Sequence, residues 1–117
     1  MNPTTNRHGA SQFDAFEIAL EVVASLRALV MKVRKEESSL ANQIVRSASS
    51  VCANVAEGNR RQGKDRLHLF RIAAGSAEET RAHLRVAMAW GWIKAGDVEP
   101  AMQLLDRELA MLWRLTH

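Results

Sequence analysis

Apolar residues return every three to four positions along most of this chain, the spacing of one face of a helix. From Gln12 to about Arg34 they fall at Phe13, Phe16, Leu20, Val23, Leu26 or Arg27, and Val30, with Ile18, Val22 and Leu29 broadening the stripe. Ser11 is placed to cap this helix. Asp14 and Glu17 sit in its first turns and Lys32, Arg34 and Lys35 close it, each sign at the end that the helix dipole favours. A second helix is predicted from Glu37 or Ser38 to about Glu57. Leu40, Ile44, Ala48, Val51 and Val55 line one face, and Ala41, Val45, Cys52 and Ala56 extend it sideways. Gly58 is its expected stop, because glycine takes the left-handed conformation without strain.

After a turn over residues 58–64, a third helix is predicted from about Lys64 to Trp90, with Gly91 as its punctuation. Leu67, Phe70, Ala74, Ala77, Leu84 and Met88 form one row. Leu69, Ala73, Ser76, Thr80, Ala87 and Trp90 form a second row of mostly small residues, which another helix can approach closely. The fourth helix follows Gly96 and Asp97, with Asp97 as its expected N-cap and Pro100 in the first turn. Its apolar face is Ala101, Leu104, Leu105, Leu109, Leu112 and Leu115. No stretch alternates long enough for a strand. The fold class is therefore all-α: an antiparallel up-down-up-down four-helix bundle over residues 12–117. A polar, flexible tail over residues 1–11 precedes it.

Composition narrows the picture. A chain of 117 residues has room for one domain and can bury roughly two-thirds of its unfolded surface without disulfides or metal. Tyr is absent and aromatics are 5%, which argues against a β-sandwich. No apolar run is long enough to span a bilayer, and the polar residues 1–12 contain no apolar signal core. The single Cys52 cannot form an intrachain disulfide and fits a reducing cytoplasm. The net charge of +3 is compatible with nucleic acid without demanding it.

Candidate chemistry is sparse. Gly58 to Asp65 spells the start of a phosphate-binding P-loop, but Asp65 replaces the Ser or Thr and a helix precedes it where a strand is required. The same stretch is the main charge feature. Arg60, Arg61, Lys64, Arg66 and Arg71 outweigh Glu57 and Asp65 by as much as the net charge of the entire chain. It reads either as an anion-binding corner, aided by the start of the third helix, or as a solvated basic turn. Glu79 and His83 share a helix face, but no cluster supplies the three or four ligands a metal needs. Gly75-Ser76-Ala77 lacks the second glycine of a nucleophile elbow and reads as a packing notch, where a helix or subunit comes close. Cys52 reads as a small core residue. Trp90, Trp92 and Trp113 are expected in the core or at helix ends; an exposed ring would mark a contact surface.

Ala53-Asn54-Val55-Ala56-Glu57-Gly58, then Arg60 and Arg61, then Phe70-Arg71-Ile72-Ala73-Ala74-Gly75-Ser76-Ala77-Glu78-Glu79 resembles, in order, a known bacterial family. It is that of the four-helix-bundle proteins encoded in intervening sequences of large-subunit ribosomal RNA genes. Gln43-Ile44-Val45-Arg46-Ser47-Ala48 resembles the family's lead-in and Gly91-Trp92-Ile93 its ending of helix three. The first helix has Phe16 where the family often carries Trp, and Gln62 or Gly63 stands where Ser or Thr is expected. The resemblance implies a homopentamer. It also extends to the accessory protein of diversity-generating retroelements, which presents a basic surface to RNA and to a reverse transcriptase.

The resulting expectation is a non-catalytic, cytoplasmic oligomer without cofactor or metal. It would contact RNA or a nucleoprotein through Arg60, Arg61, Lys64, Arg66 and Arg71. Ala73, Gly75, Ser76 and Ala77 would serve an oligomer interface or close packing. The alternative is a structural or protein-interaction adaptor with no nucleic-acid ligand.

Overall fold

The computed structural model describes residues 12–117. Four helices follow one another: α1 (Gln12–Glu36), α2 (Ser38–Asn59), α3 (Gly63–Ala89) and α4 (Ala95–Thr116). Each packs against its neighbours in sequence, and α4 closes the ring against α1, with α2 and α3 the most extensively packed pair. This is the antiparallel bundle expected, and no strand occurs among the described residues. The flexible-tail assignment and the Ser11 cap lie outside those residues.

The links are short and mostly main-chain capped. Glu37 alone joins α1 to α2, its extended backbone breaking the helix. The amides of Arg60 and Arg61 donate to the carbonyls of Glu57 and Gly58, at 3.0 Å each, and end α2. Gly63 (φ 59°) opens α3 and Gly91 (φ 80°) follows it, both in the left-handed region that favours glycine.

Three local expectations need correction. Gly58 is not a left-handed stop: it lies inside α2, fully enclosed, and the helix continues to Asn59. Asp97 is not a cap. The fourth helix starts at Ala95 after an extended Lys94, and Asp97 instead pairs with Lys32 of α1 at 3.1 Å. Pro100 consequently falls in the second turn. The helical acceptor it leaves unused is the carbonyl of exposed Gly96, which water can reach.

The larger correction concerns which stripe of α1 faces inward. Ala15, Ile18, Ala19, Val22, Leu26, Leu29 and Val33 are buried. Phe13, Leu20, Val23 and Met31 point outward, with Phe13 and Met31 each 67% exposed. The helix therefore carries two apolar stripes, and the outer one includes the large side chains of Phe13 and Met31. The inner stripe mixes Ala15 and Ala19, which let the helices approach closely, with Ile18, Leu26 and Leu29, which fill the core. In α3, by contrast, the two predicted rows merge into one inward face: Phe70, Ala73, Ala77, Thr80, Leu84 and Ala87 are all buried.

Candidate nucleic-acid interface

The residues that carry the family resemblance build the α2–α3 seam. The Ser50 and Ser76 hydroxyls meet at 2.9 Å, and the Asn54 amide donates to the Ser50 carbonyl at 2.8 Å. The Thr80 hydroxyl lies 2.8 Å from both the Ser47 hydroxyl and the Ser76 carbonyl. These polar contacts satisfy groups that would otherwise be stranded between packed helices, and they fix the register of the pair. Ala73 and Ala77 are fully buried in the core, so their small size serves packing within one chain. Gly75 alone of the four small residues faces outward, with open space where a Cβ would stand.

The five basic residues of the turn divide into two groups. Arg61 is held by Glu57, its Nε donating to the carboxylate at 3.0 Å. Arg66 folds back on the end of α2, donating to the carbonyls of Gly58 at 3.2 Å and Asn59 at 3.4 Å. It thereby serves as a helix C-terminal cap, where a cation suits the dipole. Arg60, Lys64 and Arg71 are exposed, and their side chains have no hydrogen-bond or ion-pair partner among the described residues. The free cationic set is therefore Arg60, Lys64 and Arg71. The P-loop-like spelling lies between two helices, so the strand that such a loop requires is missing.

Lys64, His68, Arg71 and Gly75 are exposed and follow the four-three-four spacing of a single helix stripe. That stripe leads into a groove of about 330 Å³ between α3 and α4, lined by Arg71, Ala74, Gly75, Trp113, Thr116 and His117 among others. Two of the three tryptophans are on the surface. Trp113 is 61% exposed and stacks on His117, with ring centroids 4.4 Å apart. Trp90 is 68% exposed and stacks on the half-buried Trp92 at 5.7 Å. The expectation of core or helix-end packing holds for Trp92, whose ring packs against the core; Trp90 and Trp113 have the exposure of contact residues.

Sequence reasoning missed Glu108. It sits on the inward stripe of α4 with Leu105 and Leu112, wholly buried, and neither carboxylate oxygen has a hydrogen-bond partner. Burial pushes its pKa up to about 8, so the group is mostly neutral near pH 7. The signal was a glutamate standing where the helical period demands an apolar residue. Half-buried Cys52 has its thiol pKa raised by burial and by the nearby Glu108 carboxyl, the reverse of an activated nucleophile. His83 and Glu79 form a surface pair at 3.1 Å, and no group of three metal-ligating side chains occurs among the described residues.

The family model of the 23S rRNA-intervening sequence proteins matches residues 11–114. The chain belongs to that family. A solved structure of a protein of unknown function from the S23 ribosomal protein family, from Bacteroides thetaiotaomicron, is similar in fold. It is 22% identical, with a TM-score of 0.79 over 87% of this chain and 97% of that one. No curated protein matches. As in the sequence reading, no helix of the described residues is long and apolar enough to cross a membrane. The family match takes in α1, α2 and α3 whole and reaches into the last turn of α4.

Proposed function

We propose that this member of the 23S rRNA-intervening sequence family is a non-catalytic, cytoplasmic homo-oligomer that binds RNA through the surface around the α2–α3 turn. The observation that carries the reading is the set of three free cations, Arg60, Lys64 and Arg71, on an exposed face with an exposed tryptophan beside it. Free cations attract a phosphate backbone, and the counterions released on contact favour binding. Among the described residues, the half-buried thiol with its raised pKa, the neutral buried carboxyl and the scattered histidines offer no nucleophile with an adjacent base, which supports a binding role over catalysis.

Oligomerisation is supported by the outer stripe of α1 rather than by the small residues Ala73 and Ala77 of α3, which are buried within the chain. The outer stripe of Phe13, Leu20, Val23 and Met31 continues across an apolar groove of about 310 Å³ to Val45 of α2. Burying such a stripe against copies of the chain is the common outcome for an exposed apolar face. The ring of five comes from the family resemblance; repeating the turn around a ring would raise its avidity for a long anion.

The same outer stripe also favours a second reading, an adaptor that binds protein and no nucleic acid. Affinity capture from host cells, with and without ribonuclease, separates the two. RNA binding predicts co-purifying RNA, and partners that are lost on ribonuclease treatment. Partners retained after treatment, with no RNA in the untreated sample, would support the adaptor.

A further inference from the structure

The groove between α3 and α4 combines three features that the cationic turn by itself does not need. Its floor is open at Gly75, where nothing lies within 4 Å of the position a Cβ would occupy, with the apolar Ala74 and Leu109 beside it. Its wall is the indole of Trp113, 61% exposed. Its rim carries Arg71, a free cation in line with Lys64 on the same helix stripe. The antiparallel register, marked by the ion pair of Arg81 with Asp106 at 3.3 Å, sets Arg71 and Gly75 opposite the last two turns of α4. Glu78 lies at the other end of the groove and is engaged by Arg81 at 3.7 Å. The groove is thus cationic at one end, aromatic along one side and smooth underneath.

We propose that this groove holds an unpaired base of single-stranded RNA, stacked on Trp113, with the adjoining phosphate on Arg71. The inference rests on the RNA-binding reading and specifies the form of RNA and the subsite. His117 already lies parallel to the indole, 13° from coplanar, which is the geometry a planar nitrogen heterocycle adopts on this ring. A base takes the place of His117 or lies on the free portion of the indole. Gly75 lets the sugar and base approach the helix closely, as a larger residue would not. The strand then runs back along Arg71 and Lys64 toward Arg60, a track of about 16 Å along α3 from residue 75 to residue 64. A duplex cannot use the groove, because its bases are already stacked and paired. The arrangement follows the physics of single-strand recognition, in which cations track the backbone and aromatic rings receive the bases.

The test uses the full chain at low salt and fluorescence anisotropy with two labelled RNAs, an oligoadenylate of about 12 nucleotides and a duplex of equal length. Trp113→Ala is expected to weaken single-strand binding about tenfold and to leave duplex binding unchanged, whereas Trp113→Phe retains most of the affinity. Arg60→Ala with Lys64→Ala is expected to weaken both RNAs. If Trp113→Ala binds the single strand like the wild type, or weakens both RNAs equally, the base site is refuted. The cationic reading then survives if the Arg60/Lys64 variant still loses affinity. If the wild type binds neither RNA, both readings fail.

Discussion

A Cβ placed on Gly58 would stand 2.6 Å from Cε1 of Phe70, closer than side-chain carbons pack. Phe70 is fully buried in the core, so its ring has little freedom to retreat. The α2–α3 pair therefore depends on the absence of one methyl group.

Gly58→Ala is expected to destabilise the bundle by about 1–3 kcal/mol, the usual range for overpacking a tight core. Thermal or urea unfolding measures it. A variant as stable as the wild type would mean that Phe70 can move aside.

Gly75→Ala should do the opposite. No atom crowds the site and the residue sits inside α3. Alanine in an exposed helix interior is worth about 0.5–1 kcal/mol over glycine, so the unfolding midpoint should rise. The two glycines lie on neighbouring helices and carry opposite predictions, and the sequence does not distinguish them.

That contrast illustrates what was legible. The four helices, their order and the small-residue character of α3 followed from periodicity. The inward faces of α2 and α4 followed as well, but that of α1 did not, because α1 presents large apolar residues on two sides and hydrophobicity does not say which side the partner helices take. Phe13 and Met31 were outside while Ala15 and Ala19 were inside. The basic turn was visible as charge. Its division was not, since the capping of α2 by Arg66 and the pairing of Arg61 with Glu57 depend on the turn geometry. Trp113 joins the site only because α4 packs beside Gly75, far from it in sequence.

Glu108 should make stability depend on pH. Its folded pKa, about 8, lies above the ordinary value of 4.5, so the folded state holds a proton that the unfolded state releases. The stability contributed by the neutral form is complete below pH 4.5 and is lost as pH rises from there to about 8. The slope is at most about 1.4 kcal/mol per pH unit. Glu108→Met should flatten this dependence and stabilise the protein at pH 8 by about 1–3 kcal/mol or more, since two unsatisfied oxygens are removed. Denaturant unfolding across the range checks both; a pH-independent wild type would contradict the burial argument.

Oligomer formation predicts a light-scattering mass well above the 13.0 kDa of one chain, with five copies expected from the family resemblance. Val23→Glu together with Met31→Glu places charge on the outer stripe of α1 and should return the mass to 13.0 kDa with helicity unchanged. A wild type that runs as a single chain would remove the interface, and a two-chain mass would keep the interface but reject the ring.

The salt dependence of RNA affinity tests the central claim most directly. Each phosphate neutralised on single-stranded RNA contributes a slope of about −0.7 to log K against log salt, so Arg60, Lys64 and Arg71 together account for about −2 per chain. Replacing all three by Ala should reduce the slope by about that amount and weaken binding at low salt. An unchanged slope, or a wild type that binds no RNA at low salt, would contradict the assignment of this surface to RNA.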